Sequence, residues 1–248
     1  MPASRTALIN ALIPNQCALC TAPTGRSIAL CLACEGELPW LRDSCRQCAL
    51  PLPPGGSLCG QCLTQPPAVD ECIAALAYTA PVSHWVQAGK DNGDMASLAI
   101  LAALLSRAIA AHAADAPDYV TYVPLHWWRR WRRGFNQAEY LAGRLVQDPR
   151  LKRLLLKNPV SLARRHRPTA SQRTLDAVAR QRNLRNAFEP LQSLHGQHVA
   201  IVDDVMTTGA TVNALAATLK RAGAGRVSAW CCARTLPPDS ARPGGAIR

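Results

Sequence analysis

Residues 198–215 read HVAIVDDVMTTGATVNAL and change chemical character twice within this short stretch. Four apolar residues precede Asp203 and Asp204, and a loop rich in threonine then leads into a segment with helical spacing. In an open parallel sheet, ligands bind at the carboxyl ends of strands, where the following helix offers unpaired N–H groups to an anion. The stretch therefore predicts a buried strand, an anion-binding loop and a helix.

The loop itself has the composition of a phosphate site. Residues 207–211 carry three threonine hydroxyls and the small, permissive Gly209. Asp203 and Asp204 would repel the same phosphate, so they must contact something neutral or cationic, such as sugar hydroxyls or magnesium. A phosphorylated ribose satisfies both requirements. Two aspartates that only make a strand end soluble would leave the threonines unexplained.

Two other nucleotide-binding patterns are missing from the chain. No GxxxxGK[ST] loop is present to hold a γ-phosphate, and no GxGxxG follows a strand. A P-loop and a dinucleotide-binding turn are therefore excluded.

Strand-like and helix-like segments alternate on both sides of this stretch. The strand candidates are residues 71–80, 117–126, 196–206 and 226–236, and the helix candidates are 95–114, 134–147 and 210–224. This alternation predicts an α/β domain with a largely parallel sheet over residues 70–236. The basic segment 164–190 is expected to be a flexible excursion or a mobile, helix-containing hood, and 237–248 a disordered tail.

The amino-terminal part of the chain is an internal repeat of cysteine pairs. Four CxxC pairs begin at positions 17, 31, 45 and 59, fourteen residues apart each time. Two such turns supply the four sulfurs of a tetrahedral zinc site, so the repeat predicts a double zinc-ribbon module over residues 14–66. The eight predicted ligands are Cys17, Cys20, Cys31, Cys34, Cys45, Cys48, Cys59 and Cys62.

The identity of the metal and the pairing of the turns have alternatives. Disulfides or an iron–sulfur cluster would use the same cysteines. A reducing cytoplasm disfavours disulfides, and the Pro/Gly-rich hairpins favour two structural zinc ions over an iron–sulfur cluster. Sequential pairing of neighbouring turns closes shorter loops than a cross-braced arrangement and is favoured on entropy. Cys72, Cys231 and Cys232 lie outside the repeat and are expected to be small core residues.

The remaining features concern location and charge. The amino terminus has too short an apolar run for a secretory signal, and residues 95–114 contain Arg107 and His112, so we expect a cytoplasmic protein without membrane insertion. Residues 126–187 contain sixteen basic and three acidic residues. The resulting excess of thirteen positive charges is larger than the net charge of +12 of the entire chain. Polyanionic partners, meaning phosphates or nucleic acid, are expected.

A second candidate function comes from the centre of this basic region. Three tryptophans alternate with arginines, a combination that suits single-stranded nucleic acid because indoles stack on bases and arginines bind the backbone. Packing of one or two of these tryptophans in the core is the alternative. The candidate nucleic-acid-binding residues are Trp127, Trp128, Arg129, Arg130 and Trp131.

The segment VAIVDDVMTTGAT resembles the phosphoribosyl pyrophosphate (PRPP) motif of type I phosphoribosyltransferases. The resemblance implies a type I phosphoribosyltransferase-like fold, with Asp203 and Asp204 on the ribose 2′ and 3′ hydroxyls. It places the 5′-phosphate in the loop of Thr207, Thr208, Gly209, Ala210 and Thr211.

Three further stretches resemble the ComF competence family, namely VPLHWWRRWRRGFNQAEYLA, RPTASQRTLDAVARQRNLRNAF and the CxxC pairs. The resemblance implies a zinc ribbon fused to a phosphoribosyltransferase-like domain. It also implies a role in handling incoming single-stranded DNA beside the competence or DNA-uptake machinery. The chain departs from the family pattern after Lys90, where AGKDNGDM lacks the usual aromatic residue.

If the domain transfers a phosphoribosyl group, pyrophosphate must leave C1 of the ribose through an oxocarbenium-like state. Magnesium bound with PRPP and arginines would neutralise the leaving group. We expect residues 123–126 to form the pyrophosphate loop, and Arg132 and Arg133 to act with the two aspartates in catalysis. Arg180 and Arg182 are further candidates. No residue identifies the acceptor, so the sequence leaves open whether the protein is an enzyme or a non-catalytic single-stranded nucleic-acid-binding module.

Overall fold

A computed structural model describes residues 15–155, 157–166 and 187–237, and for Arg129 it describes the backbone alone. Its centre is a four-stranded sheet in which every neighbouring pair is parallel. The strands are β1 (Glu71–Ala77), β2 (Tyr119–Tyr122), β5 (His198–Met206) and β6 (Arg226–Arg234), in the order β1-β6-β5-β2. A separate antiparallel pair is formed by β3 (Ala163–Arg165) and β4 (Phe188–Pro190).

Helices lie on both faces of the sheet. In chain order they are α1 (Leu32–Gly36), α2 (Gly60–Thr64), α3 (Val82–Asp91), α4 (Met95–His112), α5 (Trp127–Arg133), α6 (Gln137–Gln147) and α7 (Ala210–Arg221). A short 3₁₀ turn, Pro149–Leu151, follows α6.

The alternation of side chains along β5 divides the hydrophobic core into two layers. Ala200 and Val202 belong to the layer that includes α4 and α6, whereas Val199 and Ile201 belong to the layer that includes α7. Because successive residues of a strand point to opposite faces, an uninterrupted apolar run requires cover on both sides. The fold is therefore the predicted α/β arrangement, with a largely parallel sheet at its centre.

The long helix α4 supplies much of the first core layer. It begins after Asp94, whose carboxylate accepts a hydrogen bond from the N–H of Ala96 at 3.0 Å. Its length and composition would allow it to cross a membrane, with a mean hydropathy of 1.6, but 61% of it is buried inside the described fold. Here α4 serves as a core helix, in contact with α3, α6 and β1.

The cysteine-rich module covers the outer edge of β1. Leu41 N–H donates to the Ala75 carbonyl at 3.0 Å, and Ala77 N–H donates to the Pro39 carbonyl at 2.8 Å. Cys72 N–H donates to the carbonyl of Arg46 at 2.6 Å. An unpaired strand edge can pair with another chain. The module protects the edge of β1 because it forms hydrogen bonds with backbone groups that the sheet leaves unpaired.

Four of the seven helices in the described residues were not among the helix candidates, namely α1 and α2 of the cysteine-rich module, α3, and the tryptophan- and arginine-rich α5. The predicted hood falls mainly on residues 167–186, including Arg180 and Arg182, and the tail mainly on 238–248. Both lie outside the described residues.

Candidate functional site

The two aspartates lie within β5, as they do in the predicted strand of residues 196–206. The strand continues through Asp203 and Asp204 to Met206, where Thr235 N–H donates to the Met206 carbonyl at 3.0 Å. The Asp204 N–H donates to a carboxyl oxygen of Asp203 at 3.0 Å, so the two residues are held close together. Both lie at the carboxyl end of the sheet, where ligands of open α/β folds bind.

Asp204 is held by a lysine from α3. The Lys90 ammonium lies 3.0 Å from a carboxylate oxygen of Asp204, and Asp204 is 7% exposed. Burial of the ammonium acts to lower the pKa of Lys90, but the negative charge of Asp204 and its hydrogen bond outweigh it and raise that pKa. The lysine that the family resemblance singled out is therefore in direct contact with the candidate site.

Asp203 has the opposite character. Burial, and then the neighbouring charge of Asp204, raise the pKa of Asp203 to about 8, although the charge of Lys90 acts to lower it. Two close carboxyl groups that share one lysine do not both ionise easily, because their negative charges repel each other. At neutral pH most copies of Asp203 therefore retain a proton, whereas Asp204 is paired with Lys90, so the two acids offer different partners to a ligand.

Beyond β5, residues 207–211 form the threonine loop. Thr207 and Thr208 are exposed, and the Thr208 hydroxyl accepts a hydrogen bond from Ala210 N–H at 3.3 Å. Gly209 has φ of +76° and caps α7. This left-handed conformation favours glycine, which explains its place in the loop.

The amides at the start of α7 are available for an anion. Asn213 N–H donates to the Gly209 carbonyl at 2.8 Å, the first bond of the helical series. The amides of Thr211 and Val212 precede that bond and have no intrahelical partner. Unpaired amides, the helix dipole and exposed hydroxyls together form a site suited to a phosphate group.

The predicted pyrophosphate loop lies beside this site. Val123 N–H donates to the Val202 carbonyl at 3.0 Å, directly before Asp203, and the Asn136 side-chain amide donates to the Val123 carbonyl at 3.1 Å. His126 is buried and caps α5 by accepting from Trp128 N–H at 3.4 Å. Residues 123–126 thus connect the carboxyl end of β2 to α5.

The helix α5 presents its aromatic residues to solvent. Trp127, Trp128 and Trp131 are 68%, 48% and 80% exposed. The Arg132 guanidinium lies 5.8 Å from the centre of the Trp128 ring, and Arg130 pairs with Glu139 at 2.9 Å. Since all three indoles are accessible, the alternative that they serve as core residues is wrong.

The eight repeat cysteines form two clusters. The first cysteine cluster is Cys17, Cys20, Cys31 and Cys34, and the second cysteine cluster is Cys45, Cys48, Cys59 and Cys62; within each, the sulfur atoms lie within 4.8 Å of one another. The sequentially paired turns are therefore the ones that come together.

The geometry of both clusters fits a tetrahedral ion. Zinc–sulfur bonds of about 2.3 Å at tetrahedral angles require sulfur atoms about 3.8 Å apart. The Sγ atoms of Cys20 and Cys31 are 3.7 Å apart, and those of Cys48 and Cys59 are 3.6 Å apart. Four thiolates complete the coordination of each zinc, so these sites are structural and leave no position open for substrate.

Each cluster has one thiol of lowered pKa, whereas hydrogen bonds with neighbouring thiols raise the pKa of Cys34, and burial raises the pKa of Cys48 and Cys62. Burial opposes ionisation of Cys17, but backbone N–H donors outweigh it and lower its pKa to about 6. The same balance lowers the pKa of Cys45 to about 7. Cys72, Cys231 and Cys232 are buried away from the clusters, as predicted for core residues.

Two charged residues with structural importance were not anticipated. Glu35, beside the first cysteine cluster, is 2% exposed and accepts hydrogen bonds from Arg26 and Arg107, each at 2.5 Å. Arg234 is 5% exposed at the end of β6. Charged residues are common near the ends of short helices and strands. The sequence pattern therefore did not single out Glu35 or Arg234.

Comparisons with known proteins agree with this architecture. Residues 8–63 match the double zinc ribbon domain family, and residues 136–239 match the phosphoribosyl transferase domain family. The fold and the site thus define a phosphoribosyltransferase-like α/β protein with an amino-terminal double zinc ribbon.

Full-length relatives identify the family. The "DNA utilization protein YhgH" of Salmonella typhimurium (strain LT2) is 36% identical over 229 residues, which cover 90% of this chain and 99% of that protein. The protein of that name from Escherichia coli (strain K12) is 34% identical over the same shares. "Competence protein F" of Haemophilus influenzae (strain ATCC 51907 / DSM 11121 / KW20 / Rd) is 32% identical, with 83% of this chain and 90% of that protein covered. The chain belongs to the ComF family of competence and DNA-utilisation proteins.

Proposed function

We propose that the protein binds PRPP with magnesium at the carboxyl end of β5 and serves in the handling of incoming single-stranded DNA. The observation that carries the proposal is the continuity of the Asp203–Asp204 pair with the threonine loop and the start of α7. A sugar with a phosphate at one end requires hydroxyl-binding acids and an anion site next to each other. The names of the relatives support the DNA context.

In this proposal the threonine loop binds the 5′-phosphate through its hydroxyls and the amides of Thr211 and Val212. Asp203 and Asp204 accept hydrogen bonds from the ribose 2′ and 3′ hydroxyls. Lys90 then orients Asp204 and supplies positive charge at the same end of the sheet.

Transfer of the phosphoribosyl group would break the bond between C1 and the pyrophosphate oxygen. The electron pair leaves with pyrophosphate, and an acceptor nucleophile forms the new bond to C1. Magnesium supplies charge neutralisation to the leaving group when it is bound. Arg132 and Arg133, on the helix that follows residues 123–126, are proposed to bind the departing phosphates through paired hydrogen bonds.

Thermal unfolding with and without PRPP and magnesium tests the binding proposal. We expect a higher Tm with the ligand, because a ligand that binds only the folded state stabilises it. Asp203→Asn combined with Asp204→Asn should abolish the shift. Asp91→Asn, a change of an exposed carboxyl next to Lys90, is the matched control and should retain it. No shift in the unmutated protein would contradict PRPP binding. Pyrophosphate release with bases, ammonia or single-stranded DNA as acceptors then decides whether turnover occurs.

The second candidate function is single-stranded nucleic-acid binding by α5, and the exposure of all three indoles favours it. Stacking on a base contributes about 1 to 3 kcal/mol per aromatic residue. The arginines of α5 add backbone contacts that weaken with salt.

Fluorescence anisotropy with a labelled single-stranded oligonucleotide tests this function at several salt concentrations. We expect salt-sensitive binding that is at least about tenfold weaker after Trp127, Trp128 and Trp131 are changed to alanine. Leu191→Ala, a change of an exposed apolar residue outside α5, should leave binding unchanged. Binding that does not respond to salt would contradict the proposed role of the arginines.

A further inference from the structure

Arg234 is a buried cation that is surrounded by backbone oxygens. Its Nε donates to the Cys48 carbonyl at 2.8 Å, and its Nη1 donates to the carbonyls of Met206 at 3.0 Å and Thr235 at 2.8 Å. Nη1 also donates to the carbonyl of Thr207. Within the described residues no carboxylate lies at ion-pair distance from Arg234. Burial of a guanidinium is costly unless its donors are satisfied, so this arrangement requires all of its acceptors in place.

These oxygens come from two different functional parts of the molecule. Cys48 belongs to the second cysteine cluster, whereas Met206 and Thr207 are the last residue of β5 and the first of the threonine loop. Cys48 and Arg234 are 186 positions apart in the chain. One side chain therefore bridges a metal knuckle and the proposed phosphate site.

We infer that Arg234 is a positioning residue that couples the second zinc site to the conformation of the threonine loop. As far as the ligand is concerned, the inference rests on the proposed binding of PRPP. Four thiolates and one Zn²⁺ would carry a net charge of about −2, which gives the guanidinium a counter-charge that no acid in the described part of the chain provides. The bound ion also fixes the turn that presents the Cys48 carbonyl.

The first cysteine cluster lacks such a connection in the described structure. Its charged contact runs from Glu35 to Arg107 on α4, a helix of the opposite core layer. The coupling is therefore specific to the second site. By thermodynamic linkage, a ligand that stabilises the conformation of the threonine loop also increases the affinity of the second cluster for its zinc ion.

Backbone hydrogen exchange of the zinc-loaded full chain tests the bridge without any ligand. In Arg234→Met, we expect exchange about tenfold faster in peptides spanning residues 203–213 than in the unmutated protein. Arg107→Met, which removes the charged contact of the first cluster, should leave those peptides unchanged. Arg234→Lys retains the charge without the planar donors and should give an intermediate result, which also covers the case that Arg234→Met fails to fold. Equal exchange in the Arg234 variants and the unmutated protein would overturn the inference.

Zinc transfer to a coloured chelator provides the reciprocal test on the unmutated protein. Saturating PRPP with magnesium should slow the release of one of two ions by about tenfold and leave the other rate unchanged. If PRPP fails to bind but the Arg234 variants still accelerate backbone exchange in residues 203–213, the proposed function fails and the coupling stands. If PRPP binds and slows neither ion, or both ions equally, the coupling is refuted.

Discussion

The two cysteine clusters are copies of one sequence pattern twenty-eight residues apart, yet they are fixed to opposite sides of the sheet. Cys17 and Leu30, from the first cluster and its surroundings, pack in the core layer of α4. Ala49, next to Cys48 of the second cluster, packs in the layer of α7 and Met206. A repeated motif thus acquires two roles from what it contacts: the first cluster stabilises the scaffold, and the second supports the candidate site.

The largest expected effect comes from removal of one ligand in each cluster. Cys34→Ser and Cys62→Ser should each reduce the zinc content from two ions to one, and each should cost several kcal/mol of stability because zinc binding contributes to folding. Only Cys62→Ser should also weaken PRPP binding in the protein that remains folded. Metal analysis and calorimetry measure the two effects.

The control for this experiment is Cys72→Ala, a change of a buried cysteine outside both clusters, which should retain two ions. Equal loss of PRPP affinity in Cys34→Ser and Cys62→Ser would remove the distinction between the clusters.

The next effect concerns the anchor of the first cluster. Glu35→Ala should reduce the free energy of unfolding by about 2 kcal/mol, less than for a fully buried pair because Arg107 and Arg26 keep access to water. Glu189→Gln, in a pair whose two side chains are both exposed, should leave the unfolding midpoint essentially unchanged because solvent screens the pair. Urea unfolding measures both values, and PRPP affinity should not change in either variant.

The pH dependence of PRPP binding tests the candidate site itself, at the carboxyl end of the sheet that the second cluster supports. Asp203 faces Asp204, Lys90 and Cys231, and its pKa of about 8 means that about a tenth of the free molecules carry the ionised form at pH 7. Affinity should rise by up to about tenfold between pH 7 and 9, and Asp203→Asn should flatten that rise.

The same pKa predicts the sign of the stability change. The ordinary value is 3.8, so between that value and about 8 the folded form holds a proton that the unfolded chain has released. The Asp203 contribution therefore makes the ligand-free protein less stable as pH rises through this range. A steeper fall with pH in Asp203→Asn than in the unmutated protein would contradict this assignment.

The smallest effect tests the hydrogen bond beside Glu35. The Trp40 indole N–H donates to the Glu35 carbonyl at 2.8 Å, and Arg107 lies 5.5 Å from the Trp40 ring centre. Trp40→Phe should cost about 1 kcal/mol in urea unfolding, the usual net value of one hydrogen bond. Zinc content and PRPP affinity should stay as in the unmutated protein.

Local patterns were sufficient for the parts of the molecule that local chemistry determines. The apolar run before Asp203 and the spacing of the CxxC turns required only neighbouring residues, and both predictions are confirmed in the fold. The contacts that give these parts their setting are long-range: Glu35 and Arg107 are 72 positions apart, and Arg234 and Cys48 are 186 apart. A single sequence does not indicate which distant groups will be paired, so those residues were missed.

The cover over the edge of β1 affects how the chain can be made. The cysteine-rich module leaves the ribosome before β1, whereas β6, which pairs with the other edge of β1, is made about 150 residues later. Until β6 emerges, only one edge of β1 can be covered. A product that stops short of β6 exposes a sheet edge that chaperones and proteases can recognise.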